Sequence, residues 1–115
     1  MLRGHLVPDA IHGQARRRKA ALRSTRGSRV TWDDVMTEGV ELLLGRSDLA
    51  GSVLEGPRRS DASAVRRRLV QATLPADLDK GLVDLQLDLG ELSVEPVTYE
   101  ELWAAAIGLW LESTA

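Results

Sequence analysis

Hydrophobic and polar residues alternate in two short stretches of this chain, each of which ends at a proline. In residues 69–74, before Pro75, the alternation is regular and predicts a strand with one buried face. The apolar face of this strand would hold Val70, Ala72 and Leu74, and the polar face Gln71 and Thr73. Residues 2–7, before Pro8, predict a second strand of the same length.

After each proline, mostly apolar residues recur with the spacing i, i+4, i+7 and i+11, which places them in one stripe along a helix and predicts an amphipathic helix. These positions are Ile11, Ala15, Arg18 and Leu22 in the first helix and Leu78, Leu82, Leu85 and Leu89 in the second. Arg18 interrupts the first stripe and belongs to a basic run at residues 16–19, so we expect the first helix to be the more exposed. Such a run is most often a solvated helix face and less often a contact for nucleic acid.

Two further helices have well-defined starts. Thr31 with Asp34, and Thr98 with Glu101, have the spacing of capping boxes, in which hydroxyl and carboxylate each accept from the other residue's backbone N–H. Apolar pairs flank both boxes as hydrophobic staples: Val30 with Val35, and Val97 with Leu102. The small residues Gly39 and Ala106 occupy equivalent places, which would let these two helices cross closely.

The predicted elements form two copies of one unit, because residues 8–44 align with residues 75–111 at a constant offset of 67 without a gap. A unit of this size cannot bury its own apolar face, so two copies predict an internal dimer. The expected fold is mainly α-helical with a short two-stranded antiparallel ribbon, in one compact domain. The parts are residues 1–44 as the first copy, 45–68 as a turn-rich linker in which 49–54 can form a brief helix, and 69–115 as the second copy.

The sequence leaves two facings open for the first strand. The offset of 67 turns Arg3 and His5 inward together with Val7, and burying such polar groups without partners is costly. A shift of one residue would turn them outward instead.

Charge is segregated along the chain. Residues 1–44 carry a net +3, residues 45–68 a net +3 and residues 69–115 a net −8, which together give the overall −2. One interpretation is two differently solvated surfaces. Another is a basic surface for a polyanion and a head-to-tail contact on DNA, in which the basic run 16–19 of one copy of the chain meets acids of the next: Asp77, Asp79, Asp84 and Asp88.

Composition favours a binding protein over an enzyme. The chain has no cysteine, and His5 and His12 lack neighbours at metal-ligand spacing, so we expect no metal, no cofactor and no catalysis. No signal-like or membrane-spanning apolar stretch is present, which makes a cytoplasmic location the expectation. The aromatic residues are assigned to packing, with Trp103 and Trp110 in the core and Trp32 and Tyr99 at the surface.

The order of elements resembles the ribbon-helix-helix DNA-binding proteins of the Arc/MetJ type. The resemblance rests on the segments 74–78 and 30–35 and covers residues 2–44 and 69–111 in two copies. Two copies in one chain are similar to accessory proteins of bacterial conjugation, in which both halves of the usual homodimer are fused. The resemblance implies a fused pseudo-dimer that binds double-stranded DNA through its ribbon in the major groove.

The same resemblance implies which residues contact DNA. Counting back from Pro75, the outward positions that read bases are Gln71 and Thr73, with Leu69 beside them. Counting back from Pro8 gives Leu2, Gly4 and Leu6, so a slipped first strand would be needed for Arg3 and His5 to read bases. The implied phosphate contacts are backbone N–H groups at the starts of the second helices, helped by the helix dipole, and flanking basic side chains. The residues concerned are Thr31, Trp32, Thr98 and Tyr99 at the helix starts and Arg29, Arg66, Arg67 and Arg68 beside them.

Three functions therefore stand as expectations. The preferred one is sequence-specific binding of duplex DNA, as a transcriptional regulator or as an accessory factor in plasmid transfer or partition. The second is an antitoxin, although only four residues follow Leu111 where a toxin-wrapping tail would be expected. The third is a protein-interaction module that has lost DNA binding, which the acidic second copy favours.

Overall fold

A computed structural model describes residues 2–45, 66–92 and 97–114, which form a strand, two helices, and then the same series again. The first half consists of β1 (Leu2–Pro8), α1 (Asp9–Arg26) and α2 (Trp32–Leu44). The second half consists of β2 (Arg67–Thr73), α3 (Ala76–Leu92) and α4 (Tyr99–Ser113). The prediction of a mainly helical protein with a small two-stranded antiparallel sheet is confirmed. Most of the predicted linker, including the brief helix at 49–54, lies outside the described residues.

The two strands pair antiparallel, with Leu2 opposite Thr73 at one end and Pro8 opposite Arg67 at the other. Because partners in such a pair share a face, this register separates an inner from an outer face of the ribbon. The inner face of β2 is apolar as predicted, with Val70 and Ala72 buried. On β1, the inner positions are Arg3, His5 and Val7, so the alternative of an outward Arg3 and His5 is wrong.

Helices α1 and α3 lie with their predicted stripes against the core. Leu82, Leu85 and Leu89 of α3 are buried, whereas α1 buries only Ala15 fully. Arg18, on the α1 stripe, is half-buried and donates from Nη1 to the backbone oxygen of Leu111 at 3.4 Å. Arg18, which interrupts the apolar stripe of α1, thus binds the C-terminal end of α4.

Helices α2 and α4 start at the predicted capping boxes, and both boxes are complete. The four staple residues are buried, as are Trp103 and Trp110. The second helix of each half also packs against the strand of the other half. The two halves therefore share one core, whose largest fully buried side chains are Trp103, Trp110, Met36, Leu43 and Leu74.

The predicted close crossing of α2 and α4 is confirmed at Gly39. A Cβ atom added to Gly39 would lie 2.5 Å from the backbone oxygen of Ala106, which is closer than real Cβ contacts. The oxygen belongs to helical backbone and cannot move away alone. Glycine at this position thus sets the distance between the two helices at the centre of the core.

We expect Gly39→Ala to lower the free energy of unfolding by about 1–3 kcal/mol, because overpacking outweighs the helical preference of alanine. Gly108→Ala, on α4, is the matched control, since nothing lies within 4 Å of its added Cβ. That change should stabilise the helix by about 0.5–1 kcal/mol. Urea unfolding measures both variants, and equal effects would show that α2 and α4 do not cross closely at Gly39.

Candidate nucleic-acid interface

The outer face of the β1–β2 ribbon carries two of the four predicted base-reading residues. Gln71 and Thr73 are exposed there, opposite Gly4 and Leu2 respectively. A third cross-strand pair on this face, Leu6 with Leu69, is apolar and exposed, and the last pair, Pro8 with Arg67, is half-buried. The face therefore offers an amide, a hydroxyl and three leucine side chains to a partner.

Arg3 lies on the inner face, where it pairs with Asp79 of α3. Its guanidinium donates to both carboxylate oxygens, with Nη2 to Oδ2 at 3.1 Å, and its Cζ lies 4.7 Å from the centre of the Tyr99 ring. The hydrogen bond from Arg3 holds the pKa of Asp79 below its usual value. These contacts satisfy the guanidinium in a half-buried place, so Arg3 does not reach a base edge in this register.

His5 also faces inward, between aromatic rings of α4. It stacks on Tyr99 with 5.4 Å between ring centroids and meets Trp103 edge-on at 5.1 Å. Its Nε2 atom is buried without a hydrogen-bond partner among the described residues. Burial lowers the pKa of His5, and the positive charge of Arg3 lowers it further. His5 is therefore a neutral packing residue beneath the ribbon.

The starts of α2 and α4 are fastened to opposite ends of the ribbon. Asp33 of α2 accepts a hydrogen bond at 2.8 Å from the backbone N–H of Thr73. Glu100 of α4 accepts one at 2.9 Å from Nη1 of Arg67. Two helix starts, with their positive dipole ends, thus flank the face that carries Gln71.

The predicted phosphate-binding residues at these starts are largely engaged within the protein. Thr31 and Thr98 accept the backbone N–H of their capping-box partners. Trp32 is half-buried, with Lys19 Nζ 4.1 Å from its ring centroid and His12 beside it. Tyr99 contacts both Arg3 and His5. The hydroxyls and rings at the two starts therefore serve packing and capping, and contact of these starts with phosphate through backbone N–H groups stays a prediction.

The arginines predicted to contact phosphate divide into two groups. Arg67 pairs with Glu100, and Arg68 donates from Nε to Asp9 at 3.0 Å in an exposed pair. Arg29 and Arg66 are exposed, and no ion pair with an acid is found for either within the part of the chain described here. Arg29 and Arg66 are the better candidates for contact with a polyanion.

Two residues of the basic run 16–19, which the sequence predicted to be mainly a solvated helix face, line a groove together with two further arginines. Arg16, Lys19 and Arg23 line one groove of about 200 Å³ together with Arg29. Their spacing, i, i+3 and i+7, places them on one helix face, and this was the signal available in the sequence. What the sequence did not show was the position of that face beside Arg29 and Trp32.

The acids proposed for a head-to-tail contact do not act as one group. Asp77, Asp84 and Asp88 are exposed on α3, whereas Asp79 is nearly buried and holds Arg3. Arg18, in the basic run, is likewise engaged with Leu111 and Thr114. Only the exposed members of both sets remain for a contact between copies of the chain.

Neither a metal site nor a membrane-spanning helix is found within the described ranges. No three His, Asp or Glu side chains in residues 2–45, 66–92 and 97–114 converge closely enough to hold a metal ion. In the same ranges, no helix has the length and apolar character needed to cross a bilayer.

We expect the free energy of unfolding to fall on acidification from about pH 7 to about pH 5, because His5 is neutral in the fold and its folded pKa lies below the usual 6.5. The contribution of His5 to stability is complete at pH values above its pKa in the unfolded chain. It is lost as the pH falls through its lower pKa in the folded chain. Besides burial, the charges that act on the pKa of His5 are Arg3, which lowers it, and Glu100, which raises it. His5→Phe keeps a ring on Tyr99 and should flatten this dependence in urea melts at several pH values.

His12→Phe is the matched comparison, because burial and then Arg16 and Arg68 lower the pKa of His12 as well. Each variant should remove part of the decline and the double variant most of it. An unchanged decline in His5→Phe would show that His5 is not held neutral beneath the ribbon.

The geometry thus gives a two-stranded ribbon with an exposed mixed face, a helix start at each end and exposed cations nearby. Comparison with protein-family models, with curated proteins and with solved structures found no match to this chain.

Proposed function

We propose that this chain is a sequence-specific double-stranded DNA-binding protein built as an intramolecular ribbon-helix-helix pseudo-dimer. The observation that carries the proposal is the outer face of the ribbon, where Gln71 and Thr73 are exposed between two helix starts. A two-stranded ribbon fits the width of the major groove of B-DNA, where every base pair presents a distinct pattern of donors and acceptors.

The chemistry of the outer face suits base edges. The Gln71 amide both donates and accepts, which allows two hydrogen bonds to one adenine, and Thr73 offers a hydroxyl and a methyl group. Leu6 and Leu69 can contact the methyl groups of thymine. Recognition would fall mainly to β2, because β1 has Gly4 where β2 has Gln71.

Cations near the ends of the ribbon support phosphate contacts. Arg66 is exposed next to the end formed by Pro8 and Arg67, and Arg29 lies shortly before the start of α2 at the other end. Such contacts position a protein on the duplex without reading its sequence. The biological role is that of a transcriptional regulator or of an accessory factor in plasmid transfer or partition, without catalysis.

A second candidate is a protein-interaction module, and three exposed leucines on the ribbon favour it. Leu2, Leu6 and Leu69 are 66%, 39% and 52% exposed on one face. An apolar group of this kind can mark a contact with another protein. Affinity for mixed-sequence duplex at low salt separates the two candidates, because a module without DNA binding would show none.

The pseudo-dimer proposal predicts a folded monomer in dilute solution, since each half supplies the strand partner and core that other chains obtain by dimerising. The shared core around Gly39 and Ala106 supports this expectation. Sedimentation should give the mass of one chain, and the melting temperature should not depend on protein concentration. A melting temperature that rises with concentration would contradict a self-contained pseudo-dimer.

The DNA-binding proposal predicts that Gln71→Ala and Arg66→Ala differ in kind. Gln71→Ala should weaken binding to the preferred site by about 1–3 kcal/mol and relax preference at one or two base pairs. Arg66→Ala should weaken binding to all sequences and flatten the salt dependence, because it removes a phosphate contact. Binding isotherms on a site selected from random duplexes, and on random DNA, measure both effects.

Gln14→Ala is the control for Gln71, because Gln14 is exposed on α1 in a groove beside Leu111. It should bind both kinds of DNA as the unaltered chain does. An equal loss on selected and random DNA for Gln71→Ala would exclude Gln71 as a base-reading residue.

A further inference from the structure

Four basic side chains surround one shallow groove beside the start of α2. Arg16, Lys19 and Arg23 of α1 line it together with Arg29, and we call these four residues the α1 basic cluster. A second groove of about 440 Å³ continues from it around the turn after α1 and shares Arg23 and Arg29. The cluster therefore borders a continuous concave surface.

The cluster holds unbalanced positive charge. No ion pair with an acid is found for Arg16, Arg23 or Arg29 within the part of the chain that the structure covers, while Lys19 lies over the Trp32 ring. Burial lowers the pKa of Lys19, repulsion from Arg29 and Arg16 adds to the effect, and the carboxylate of Asp34 opposes it, so four cations lie near one acid. Like charges in one groove oppose folding, and an anion bound among them would relieve that repulsion.

Interaction with the dipole of α1 accounts for only part of this concentration of positive charge. Cations in the last turn of a helix interact favourably with its dipole, and Arg23 and Arg26 occupy that turn of α1. Arg26, however, pairs with Glu38 away from the groove. Arg16 lies more than one turn from the helix end, beyond the reach of the dipole.

The cluster lies at one end of the ribbon. Trp32, which packs on Lys19, is followed by Asp33, which accepts the hydrogen bond from the backbone of Thr73. The cluster is thus linked through Trp32 and Asp33 to the end of the ribbon where Leu2 and Thr73 pair. A duplex lying along the outer face would bring its backbone to this groove.

The second half has no counterpart of the cluster. At the offset of 67, its four positions are occupied by Val83, Gln86, Gly90 and Pro96. At the other end of the ribbon, Arg67 and Arg68 are paired with Glu100 and Asp9, which leaves Arg66. Positive charge available to a polyanion is therefore concentrated at one end of a nearly symmetric arrangement.

We propose that the α1 basic cluster binds a phosphate of the duplex backbone at the Thr73 end of the ribbon only, so that the protein occupies its site in one orientation. The proposal rests on the proposed DNA binding and adds a phosphate site outside the helix start. Asp33 and Asp34 lie at that start and repel an anion, whereas the groove beside α1 is bordered by cations. The duplex contact is thus longer on the side of the first half.

A triple variant, Arg16→Gln with Arg23→Gln and Arg29→Gln, tests the site, and it keeps Lys19 because that residue packs on Trp32. The control is Arg17→Gln, an exposed arginine of the same helix that lies in a different groove beside Leu111. Thermal melting in the absence of DNA, with inorganic phosphate against chloride at equal ionic strength, should show stabilisation of the unaltered chain and of the control. The triple variant should lose that stabilisation while folding at least as well in chloride.

DNA binding gives the second measurement. In the triple variant the slope of log K against log salt should fall by about 0.9 for each phosphate that is no longer neutralised, and affinity at ~0.15 M salt should drop at least about tenfold. Ethylation of backbone phosphates should interfere with binding on a longer stretch of one flank of the site. In the triple variant that extra interference should disappear while the other flank is unchanged.

Each outcome decides between the two proposals. Equal interference on both flanks, or a triple variant that behaves as Arg17→Gln does, would overturn the oriented phosphate site and leave DNA binding intact. Failure of the unaltered chain to bind any duplex would overturn the proposed function and the DNA occupant together. Phosphate stabilisation that is absent from the unaltered chain would show that the cluster is only a solvated helix face.

Discussion

The antiparallel pairing of β1 with β2 in one register determines which side chains this protein presents outward. Side chains alternate along a strand, so a shift of one residue would exchange the two faces of the ribbon. The observed register buries Val7 and Val70 and leaves Gln71 exposed. It also requires the helices beneath to accept Arg3 and His5, which they do through Asp79 of α3 and the aromatic rings of α4. The outer face therefore depends on inner contacts supplied by the other half of the chain.

Local features of the fold were predictable because their causes are local. A capping box needs only Thr31 and Asp34 at the right spacing, and the stripe of α3 needs only its leucines, so both elements formed as expected. The facing of β1 could not be settled in this way. Its inner arginine is tolerated because of Asp79, 76 positions along the chain, and no periodicity reports such a partner. The groove beside α1 could not be predicted for the same reason, since Arg29 and Val30 reach it only through the turn between the helices.

Ion pairs within the fold change which charges a partner can meet. Asp9, Asp79 and Glu100 each hold an arginine. The exposed pair of Arg68 with Asp9 contributes only about 0.2–1 kcal/mol to stability, whereas the other two pairs are partly buried. Their larger consequence is selective neutralisation around the ribbon. The net charges of the two halves, taken from the sequence, therefore do not describe the charge that a partner meets. Glu100 and Asp9 neutralise Arg67 and Arg68 of β2, whereas the α1 basic cluster keeps an excess of positive charge.

The composition of the outer face bears on which class of partner fits it. Covering the leucines is favourable by about 25 cal/mol per Å² of apolar surface, whichever partner does so. Covering Gln71 and Thr73 with an apolar protein surface would instead remove their hydrogen bonds to water, at a cost of about 1–3 kcal/mol for each unsatisfied group. Base edges in the major groove can replace those hydrogen bonds, and thymine methyl groups can contact the leucine side chains. If the proposed DNA binding holds, a mixed face with available cations mainly at one end matches a duplex that offers acceptors, methyl groups and phosphates together better than it matches an apolar protein surface.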